Sequence, residues 1–380
     1  MSKLEELIRE LCPDGVEYKP LEGCCKILDN QRKPVTKAAR VSGAYPYYGA
    51  NGIQDYVADY IFDGTYVLVG EDGSVLTKVG TPVVTWATGK IWVNNHAHII
   101  EEIDGALLRY LFHYIQTINI SSLIHGNIPK LTGKDFKALS IPIPPLPVQA
   151  EIVRILDNFT ELTTELTMEL TARKKQYKYY KNSLITFDHT IAFLPLNDVM
   201  NFRNGKGHEK NIVSDGRDIV VNSKFISTDG LAKKYSNSQI EPVCVDDVLM
   251  VMSDLPNGKA LAKCFIVEED DKYTLNQRIC ALSVKDKTAY SAKFLYYYLN
   301  RNPQLLKFDN GCDQTNLKKA DILNIKIPAV SLPEQERIVS ILDRFDTFCN
   351  DISEGLPAEI EARQKQYEYY RDKLLSFKEA

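Results

Sequence analysis

The stretch LSIPIPPLPVQAEIVRILDNFT, residues 139–160, decides the fold of this 380-residue chain because it occurs twice. Its second copy, IKIPAVSLPEQERIVSILDRFD at residues 325–346, aligns without gaps at an offset of 186 residues. Further on, ARKKQYKYYKNSLITF (residues 172–187) matches ARQKQYEYYRDKLLSF (residues 362–377) at an offset of 190. Two such blocks do not arise by chance, so the chain is a duplication.

The repeated blocks predict long helices that begin at prolines. A run of prolines ends at Pro147, and the next proline is Pro195, so nothing interrupts a helix between them. Apolar side chains recur on one stripe there, which predicts a single helix of about forty residues, roughly 60 Å long. In the second copy, Gly355 and Pro357 predict a break, with Pro357 in the first turn of a new helix.

A helix so long and so one-sided needs a partner, and the second helical block is the candidate. The alternative is two surface helices on separate domains. The residues predicted to make the contact are Leu162, Leu166, Leu170, Tyr177, Tyr180, Ile341, Phe345, Tyr367 and Tyr370.

Between the two blocks of the first helix lies ELTTELTMELTA, residues 161–172, which is Glu-Leu-Thr-X three times. The second copy has four more residues at this place, since 190 − 186 = 4. Four residues make slightly more than one helical turn, so a unit can be gained or lost while the leucines stay on one face. The repeat therefore predicts an adjustable spacer, in which each unit adds about 6 Å.

The segments at about 13–140 and 188–327 have a different character. Short apolar and aromatic runs such as TYVLVG alternate with Gly, Asn and Asp, which predicts strands and turns. Each segment begins near a related tetrapeptide (YKPL, FLPL) and closes with a helix candidate, ALLRYLFHYIQ or SAKFLYYYLN. Outside these anchors they differ widely, as expected if the helices hold common partners and the two domains read different targets.

The composition is that of a globular protein, with 44% apolar and 25% charged residues. The eight cysteines form no CxxC pair, which favours reduced thiols over a zinc site or a disulfide framework. The net charge of −4 argues weakly against nucleic acid, although DNA responds to local patches. The N-terminal stretch has no apolar signal core, and no apolar run approaches the ~18 residues of a membrane span, so we expect a soluble, cytoplasmic protein.

Catalytic and metal motifs are weak. The sequence has no GxGxxG or GxxxxGK[ST], and it lacks the Asp/Asn-Pro-Pro-aromatic loop of amino-methyltransferases. PDGVEYK (residues 13–19) resembles a nuclease pattern, but its acids are only three residues apart, which favours a turn. His96 and His98 alternate along a probable strand with no third ligand nearby, which favours core positions over a metal site. We therefore predict no catalytic residue and no metal ligand.

Four loops carry the Arg, Lys, Asn and Gln side chains that would suit base edges and phosphates if the chain binds DNA. Residues 29–40 and 201–210 follow the anchors, and residues 121–134 and 310–319 precede the helical blocks. For any single side chain, solvated surface is the alternative. The predicted DNA-binding residues are Gln31, Arg32, Lys33, Arg40, Asn127, Lys130, Arg203, Asn204, Lys206, His208, Lys210, Gln314, Asn316 and Lys318.

The order of divergent domain, PIPPLPVQAEIVRILDNF, second divergent domain and IPAVSLPEQERIVSILDRF resembles the DNA-specificity subunit of type I restriction-modification systems over essentially the whole chain. The resemblance implies an α+β fold with a pseudo-twofold internal repeat. Two mixed α/β target recognition domains (1–140 and 188–327) would be separated by two long helical spacer regions (141–187 and 328–380). The helical regions would pair as an antiparallel coiled coil.

The same resemblance implies the function. Each recognition domain would read one half of a split double-stranded DNA target, and the helices would dock two modification (methyltransferase) subunits. Restriction (endonuclease/translocase) subunits would complete the complex. S-adenosylmethionine, ATP and Mg would bind those partners, and this chain would be non-catalytic with no cofactor. For the basic, aromatic stretch RKKQYKYYK (residues 173–181), packing and methyltransferase docking compete with contact to DNA phosphates.

Two other classes of function are open to the sequence. A fused methyltransferase explains DNA binding but lacks its catalytic loop. A scaffold built from repeats, with no role in nucleic-acid binding, explains the paired helices but not two dissimilar domains with matching polar loops.

Overall fold

The computed structural model describes residues 3–125, 127–188, 190–256, 258–350 and 355–380. The chain divides into two compact units, Met1–Glu169 with Ala358–Ala380 and Leu170–Pro357. The division cuts both helical regions, so each unit contains one globular domain and a part of each helical region.

The first unit is built on a six-stranded sheet in the order β2-β7-β5-β6-β3-β4, in which only the neighbours β3 and β6 are parallel. Its helices are α1 (Lys3–Leu11), α2 (Leu108–Ile115) and α3 (Gly133–Lys137). Its strands are β1 (Tyr18–Pro20), β2 (Lys26–Ile27), β3 (Ser42–Gly49), β4 (Gly52–Val57), β5 (Phe62–Gly70), β6 (Val84–Val93), β7 (Ala97–Glu101), β8 (Ile124–His125), β9 (Lys130–Leu131) and β10 (Ser140–Pro142).

Strand β5 lies at the centre of this sheet because it is apolar on both faces. Successive strand residues point to opposite faces. Val67 and Val69 belong to the cluster that contains helix α2, whereas Leu68 packs in a second cluster with Ile91 and Ile99. The run TYVLVG therefore forms a strand, as the sequence predicted, and it is buried from Tyr66 to Gly70 while Thr65 is exposed.

Helix α4 (Leu146–Ile185) is continuous over 40 residues, which confirms the length predicted from the proline-free stretch. It begins at Leu146, directly after Pro144 and Pro145, and Pro147 lies in its first turn, where a missing N–H leaves no hydrogen bond unmade.

The second unit has two four-stranded sheets, β12-β20-β16-β18 and β13-β15-β14-β19. Its strands are β11 (Phe193–Pro195), β12 (Met200–Asn204), β13 (Ile212–Val213), β14 (Asp218–Val221), β15 (Tyr235–Ser236), β16 (Val248–Val251), β17 (Ser253–Asp254), β18 (Cys264–Ile266), β19 (Tyr273–Leu275), β20 (Ile279–Val284), β21 (Thr315–Asn316) and β22 (Lys326–Pro328). Its short helices are α5 (Leu196–Val199), α6 (Ser223–Ser227), α7 (Ala292–Leu299), α8 (Pro303–Leu306) and α9 (Lys319–Leu323).

The second helical region consists of two helices, α10 (Leu332–Asn350) and α11 (Leu356–Leu374). Pro357 lies in the first turn of α11, as predicted from the sequence. Among the described residues, no helix combines the length and apolar character needed to cross a lipid bilayer.

One arrangement recurs in both units, and we call it the frame. It consists of two short strands, one at the start and one at the end of each domain, that pair with each other, and of a glutamine in the following helix that hydrogen-bonds to the domain. In the first unit β1 pairs with β10, antiparallel, with Tyr18 opposite Pro142. In the second unit β11 pairs with β22 in the same way, with Phe193 opposite Pro328. The related tetrapeptides therefore begin equivalent strands.

The glutamine of the first frame is Gln149, which is fully buried in α4. Its Oε1 accepts from the Leu107 N–H at 2.9 Å, and its Nε2 donates to the carbonyls of Gly105 and Pro144 at 3.0 and 2.7 Å. All its strong hydrogen-bonding groups are used, which offsets the cost of burial. Gln335 makes the same three contacts in α10, to Ser291, Ala289 and Val330.

Candidate nucleic-acid interface

Arg32 lies on the first predicted loop but is turned inward. A three-residue 3-10 turn, Asp29–Gln31, precedes it. Its Nη1 donates to Glu71 Oε2 and to the carbonyl of Ala97, both at 2.6 Å, and its Nε donates to the carbonyl of Asp29 at 2.9 Å. Only 11% of the side chain is exposed. Its neighbours Gln31 and Lys33 are exposed.

Glu71 brings two predicted loops together. It follows β5, and its second carboxylate oxygen lies 3.1 Å from Lys130 Nζ on the loop at 121–134. Its carbonyl accepts from the Leu131 N–H at 2.8 Å. The predicted donors Arg32 and Lys130 therefore share one carboxylate, while Asn127 is exposed on the same loop.

Beside this carboxylate lies His98, a core residue of β7, with only 1% of its side chain exposed. Ligand atoms of Asp29, Glu71 and His98 lie within 4.8 Å of one another. The expectation that no third ligand lies near His98 is therefore wrong, because the fold brings both acids to it. His96 lies in the turn before β7 and contacts Asp72.

The groups around His98 are nevertheless bound to protein atoms rather than open to a cation. Nδ1 of His98 lies 2.6 Å from Asp29, and Nε2 lies 3.0 Å from the carbonyl of Leu131. Burial tends to raise the pKa of Asp29, but hydrogen bonds from His98 and from the Ile99 N–H, with the charge of Arg32, hold it below the ordinary value. Arg32 and Lys130 supply the compensating positive charge that a metal would bring.

Arg40 lies at the far end of the first loop, over the ring of Tyr47 at 4.1 Å. Its Nη1 donates to Asp55 at 3.2 Å. The Tyr56 N–H and then the Arg40 guanidinium hold the pKa of Asp55 below its ordinary value. Arg40 also lines a cavity of about 280 Å³, together with Tyr47, Val57 and Trp92.

In the second unit, Arg203 on β12 is likewise held by acids. Its Nη2 donates to Asp247 at 2.6 Å, and its Nη1 donates to the carbonyl of Pro242 at 2.9 Å and to Glu241 at 3.4 Å. The other carboxylate oxygen of Glu241 lies 2.9 Å from Lys206 Nζ. One glutamate again binds two predicted DNA-binding cations.

His208 of the same loop is inside the domain, with no exposed surface. Its Nδ1 lies 2.8 Å from the carbonyl of Lys206, and its Nε2 lies 2.8 Å from the hydroxyl of Thr274. These contacts fix the shape of the loop rather than presenting the ring to a ligand. Asn204 and Lys210 are exposed.

The loop at 310–319 meets the loop at 201–210 on this unit. Gln314 Nε2 donates to Ser253 Oγ at 2.8 Å. Lys319 Nζ lies 5.3 Å from the centre of the ring of Phe202, the residue that precedes Arg203. Asn316 and Lys318 are exposed.

Sequence reasoning missed the acids of both sites. Glu71 stands in VGEDGS, which reads as a hairpin, and the left-handed φ of +81° at Gly73 confirms a turn there. The acids are separated from Arg32 and Arg203 by 39 and 38 residues. No local sequence pattern indicates ion pairs between residues so far apart. The one available signal was the position of Glu71 directly after an apolar strand, where an acid can be buried in an ion pair.

In the first unit, helix α4 contacts helix α11. The rings of Phe159 and Tyr370 stack at 5.3 Å with 20° between their planes, and Tyr367 lies 3.0 Å from Nδ1 of the buried His113. Leu162 and Leu166 of α4 are half-buried.

In the second unit, α4 contacts α10. Tyr177 and Tyr180 stack with Phe345 at 6.2 and 5.5 Å, and Arg173 lies over Phe348 at 5.8 Å. Residue numbers rise along α4 as they fall along α10, so these two segments are antiparallel. Burial, with the nearby Asp346, raises the pKa of Tyr177. The other predicted contact residues, Leu170 and Ile341, are half-buried.

These features define a class: a duplicated protein in which one frame is repeated and each half has its own set of polar, cationic loops. The family model for the type I restriction modification DNA specificity domain matches residues 13–175 and 189–362. The chain therefore belongs to the family of DNA specificity subunits of type I restriction-modification systems, which are non-catalytic.

Individual relatives agree with this assignment. A putative type I restriction enzyme specificity subunit of Haemophilus influenzae is 37% identical, over 95% of this chain and 96% of the relative. The EcoR124I/EcoR124II specificity subunit of Escherichia coli is 33% identical over 72% of each.

Solved structures show the same fold. The S subunit from M. genitalium has a TM-score of 0.59 at 16% identity, covering 96% of this chain and 97% of the other. A chain from a study of type I R-M complex assembly and conformational transition has a TM-score of 0.56 at 16% identity, covering 96% and 98%.

Proposed function

We propose that this chain selects the DNA on which a type I restriction-modification complex acts, by reading one half of a two-part target with each domain. One observation carries the proposal. Both units repeat the frame, yet each presents different loops on a different sheet. A duplicated scaffold with two dissimilar polar surfaces fits one partner type and two different DNA half-sites.

The loops have the chemistry for base and phosphate contacts. Exposed amides such as Gln31 and Asn204 can make the paired hydrogen bonds that identify adenine, and lysines such as Lys33 and Lys210 suit phosphates or guanine. These side chains lie beside the acid-held arginines, so each domain combines fixed and adaptable donors.

The helical regions concern the distance between the two half-sites. We infer that the two helical regions pair as an antiparallel coiled coil and set the distance between the half-sites. The stacking of Phe159 on Tyr370 in one unit and of Tyr180 on Phe345 in the other supports this pairing.

The helices also offer two equivalent surfaces to partners. Tyr179 is 69% exposed and Tyr369 is 62% exposed, and each packs edge-on against the tyrosine that follows it. Exposed aromatic pairs at duplicated positions fit two copies of the same protein. Two methyltransferase subunits would dock here and restriction subunits would join them in the cytoplasm, with S-adenosylmethionine, ATP and Mg bound by these partners.

Mapping of methylated bases tests the proposal. The complex assembled from this chain and its modification subunits should methylate a two-part site. Replacing Gln31, Arg32 and Lys33 together by alanine should relax one half-site, and replacing Asn204, Lys206 and Lys210 should relax the other. Equal relaxation of both half-sites by either variant would contradict the assignment of one half-site to each domain.

A further inference from the structure

In each unit one largely buried glutamate binds two of the predicted DNA-binding cations. Glu71 is 12% exposed and binds Arg32 at 2.6 Å and Lys130 at 3.1 Å. Glu241 is 15% exposed and binds Lys206 at 2.9 Å and Arg203 at 3.4 Å. In both cases the two cations contact different oxygens of the carboxylate.

Both carboxylates are held by ordered backbone. The Glu71 N–H donates to the carbonyl of His96 at 2.9 Å, and its own carbonyl accepts from Leu131. The Glu241 carbonyl accepts from the Leu275 N–H at 2.8 Å, and the Glu241 N–H donates to Thr274 at 3.2 Å. The acids are therefore fixed points, whereas Lys130 and Lys206 keep about half or more of their side chains exposed.

The two glutamates occupy different places in their domains. Glu71 directly follows the central strand β5, whereas Glu241 lies in the segment between β15 and β16. Duplication of one ancestral glutamate therefore does not explain them. The same arrangement, reached from two positions, points to a shared requirement of the two surfaces.

We propose that Glu71 and Glu241 are positioning residues that control when the cations of the predicted DNA-binding loops become available, an inference that rests on the proposed function. A cation in a partly buried ion pair must leave its carboxylate, at least in part, to neutralise a phosphate. At a DNA site of random sequence, only the attraction to the phosphate charge favours this release. A correct half-site adds base contacts, so the glutamates suppress non-specific binding more than specific binding.

The ion pairs also fix direction. An arginine held at two of its nitrogens has few rotamers left, so it loses little conformational entropy when it meets a base edge. Asp247 at 2.6 Å on Arg203 and the Asp29 carbonyl at 2.9 Å on Arg32 add to this constraint. Loss of the glutamate should therefore weaken selection at one half-site while it strengthens attraction to any DNA.

The test compares Glu71→Gln and Glu241→Gln with wild type, in two measurements. The full chain is titrated with a duplex of random sequence from about 50 to about 200 mM salt, and methylated bases are mapped for the assembled complex. Each variant should bind random DNA more tightly, with a log–log salt slope steeper by about one to two, as expected for one or two added phosphate contacts. Selectivity at one half-site should fall about tenfold, a different half-site for each variant.

Glu101→Gln and Glu269→Gln are the matched controls. Each removes one carboxylate that pairs with a lysine outside the predicted loops, Lys26 and Lys272, at 2.9 and 2.6 Å. They change the net charge equally and should leave the half-sites and the salt slope close to wild type.

The outcomes separate the two proposals. If wild type yields no two-part site, the proposed function fails. If wild type yields such a site, the positioning role fails in either of two cases: when the glutamine variants behave like the controls, or when they lose specific and random binding together. The second pattern would mean that the glutamates only maintain the fold.

Discussion

At the scale of single residues, His113 shows how burial and ion pairing determine a charge state. Its Nε2 lies 2.8 Å from Asp157 Oδ1, and its Nδ1 lies 3.0 Å from the Tyr367 hydroxyl. A neutral ring satisfies both contacts, because Nε2–H donates to the carboxylate and Nδ1 accepts from the tyrosine. Burial lowers the pKa of His113 from 6.5, the charge of Arg109 adds to the effect, and the hydrogen bond to Asp157 opposes it.

This lowered pKa predicts a loss of stability in mild acid. Above about pH 6.5 the histidine is neutral in both folded and unfolded chains, so its contribution is complete. Below that pH the unfolded chain takes up a proton more readily than the folded one, so the free energy of unfolding falls. Urea midpoints of the first unit, measured from about pH 7 to about pH 5, should decline less steeply in His113→Asn than in wild type.

Tryptophan fluorescence makes the measurement specific, because both tryptophans of the chain, Trp86 and Trp92, lie in the first unit. The comparison uses the slope of stability against pH, since the variant also loses two hydrogen bonds and starts lower. Identical slopes in the two proteins would show that His113 does not titrate differently on folding.

At the scale of elements, helix α4 explains how a threonine-rich repeat can be helical. The hydroxyls of Thr160, Thr163, Thr164 and Thr167 donate to carbonyls four residues earlier, at 2.7–3.1 Å. The hydrogen-bond donors of these hydroxyls are therefore used within the helix itself. The leucines of the same repeat, Leu162, Leu166 and Leu170, are all half-buried. We therefore predict that one four-residue unit can be added or removed without changing this face of the helix.

Inserting one Glu-Leu-Thr-X unit after Ala172 should therefore lengthen the helix and widen the gap between half-sites. Each unit adds about 6 Å of helix, which corresponds to about two base pairs of DNA. The bases of the two half-sites should not change. Mapping of methylated bases measures both properties at once.

A control insertion of four residues after Glu269, in an exposed turn between β18 and β19, leaves the helices unaltered. It should change neither the gap nor the half-sites. A gap that stays the same after insertion into the repeat would exclude the spacer role.

At the scale of the whole molecule, each hydrophobic cluster draws its described residues from one unit. Leu156 of α4 is fully buried in the cluster with helix α2, and Leu342 of α10 is fully buried in the corresponding cluster with α7. The two leucines are equivalent in the duplicated sequence, at the offset of 186 residues. They therefore form a matched pair for testing the two cores separately.

Leu156→Ala should destabilise the first unit by roughly 2–5 kcal/mol, the usual range for a cavity left by a buried leucine. The urea midpoint reported by tryptophan fluorescence should fall accordingly. Leu342→Ala should leave that midpoint near wild type and instead lower a transition seen by circular dichroism. If both variants lowered the tryptophan midpoint equally, the chain would unfold as a single cooperative body.

The amino-acid pattern alone predicted the duplication, the long helix α4 and the break before α11. Periodicity predicted α4, and proline and glycine predicted the break before α11, because these constraints act over a few residues. The contacts of Gln149 and Gln335 were not predicted, since they join residues far apart in the chain. The sequence also located the loops that carry the predicted DNA contacts, and the resemblance carried by its motifs led to the family.

The contacts of individual side chains on those loops became known from the folded structure. It turned Arg32 toward Glu71, buried His208 against Thr274, and gave the two domains different sheets on the same frame. These contacts depend on partners that are far apart in sequence. The residues next to a charged side chain in the sequence do not indicate whether it will face water or a buried acid. Ion pairing and burial are long-range properties of the folded chain, so they were settled only when distant strands came together.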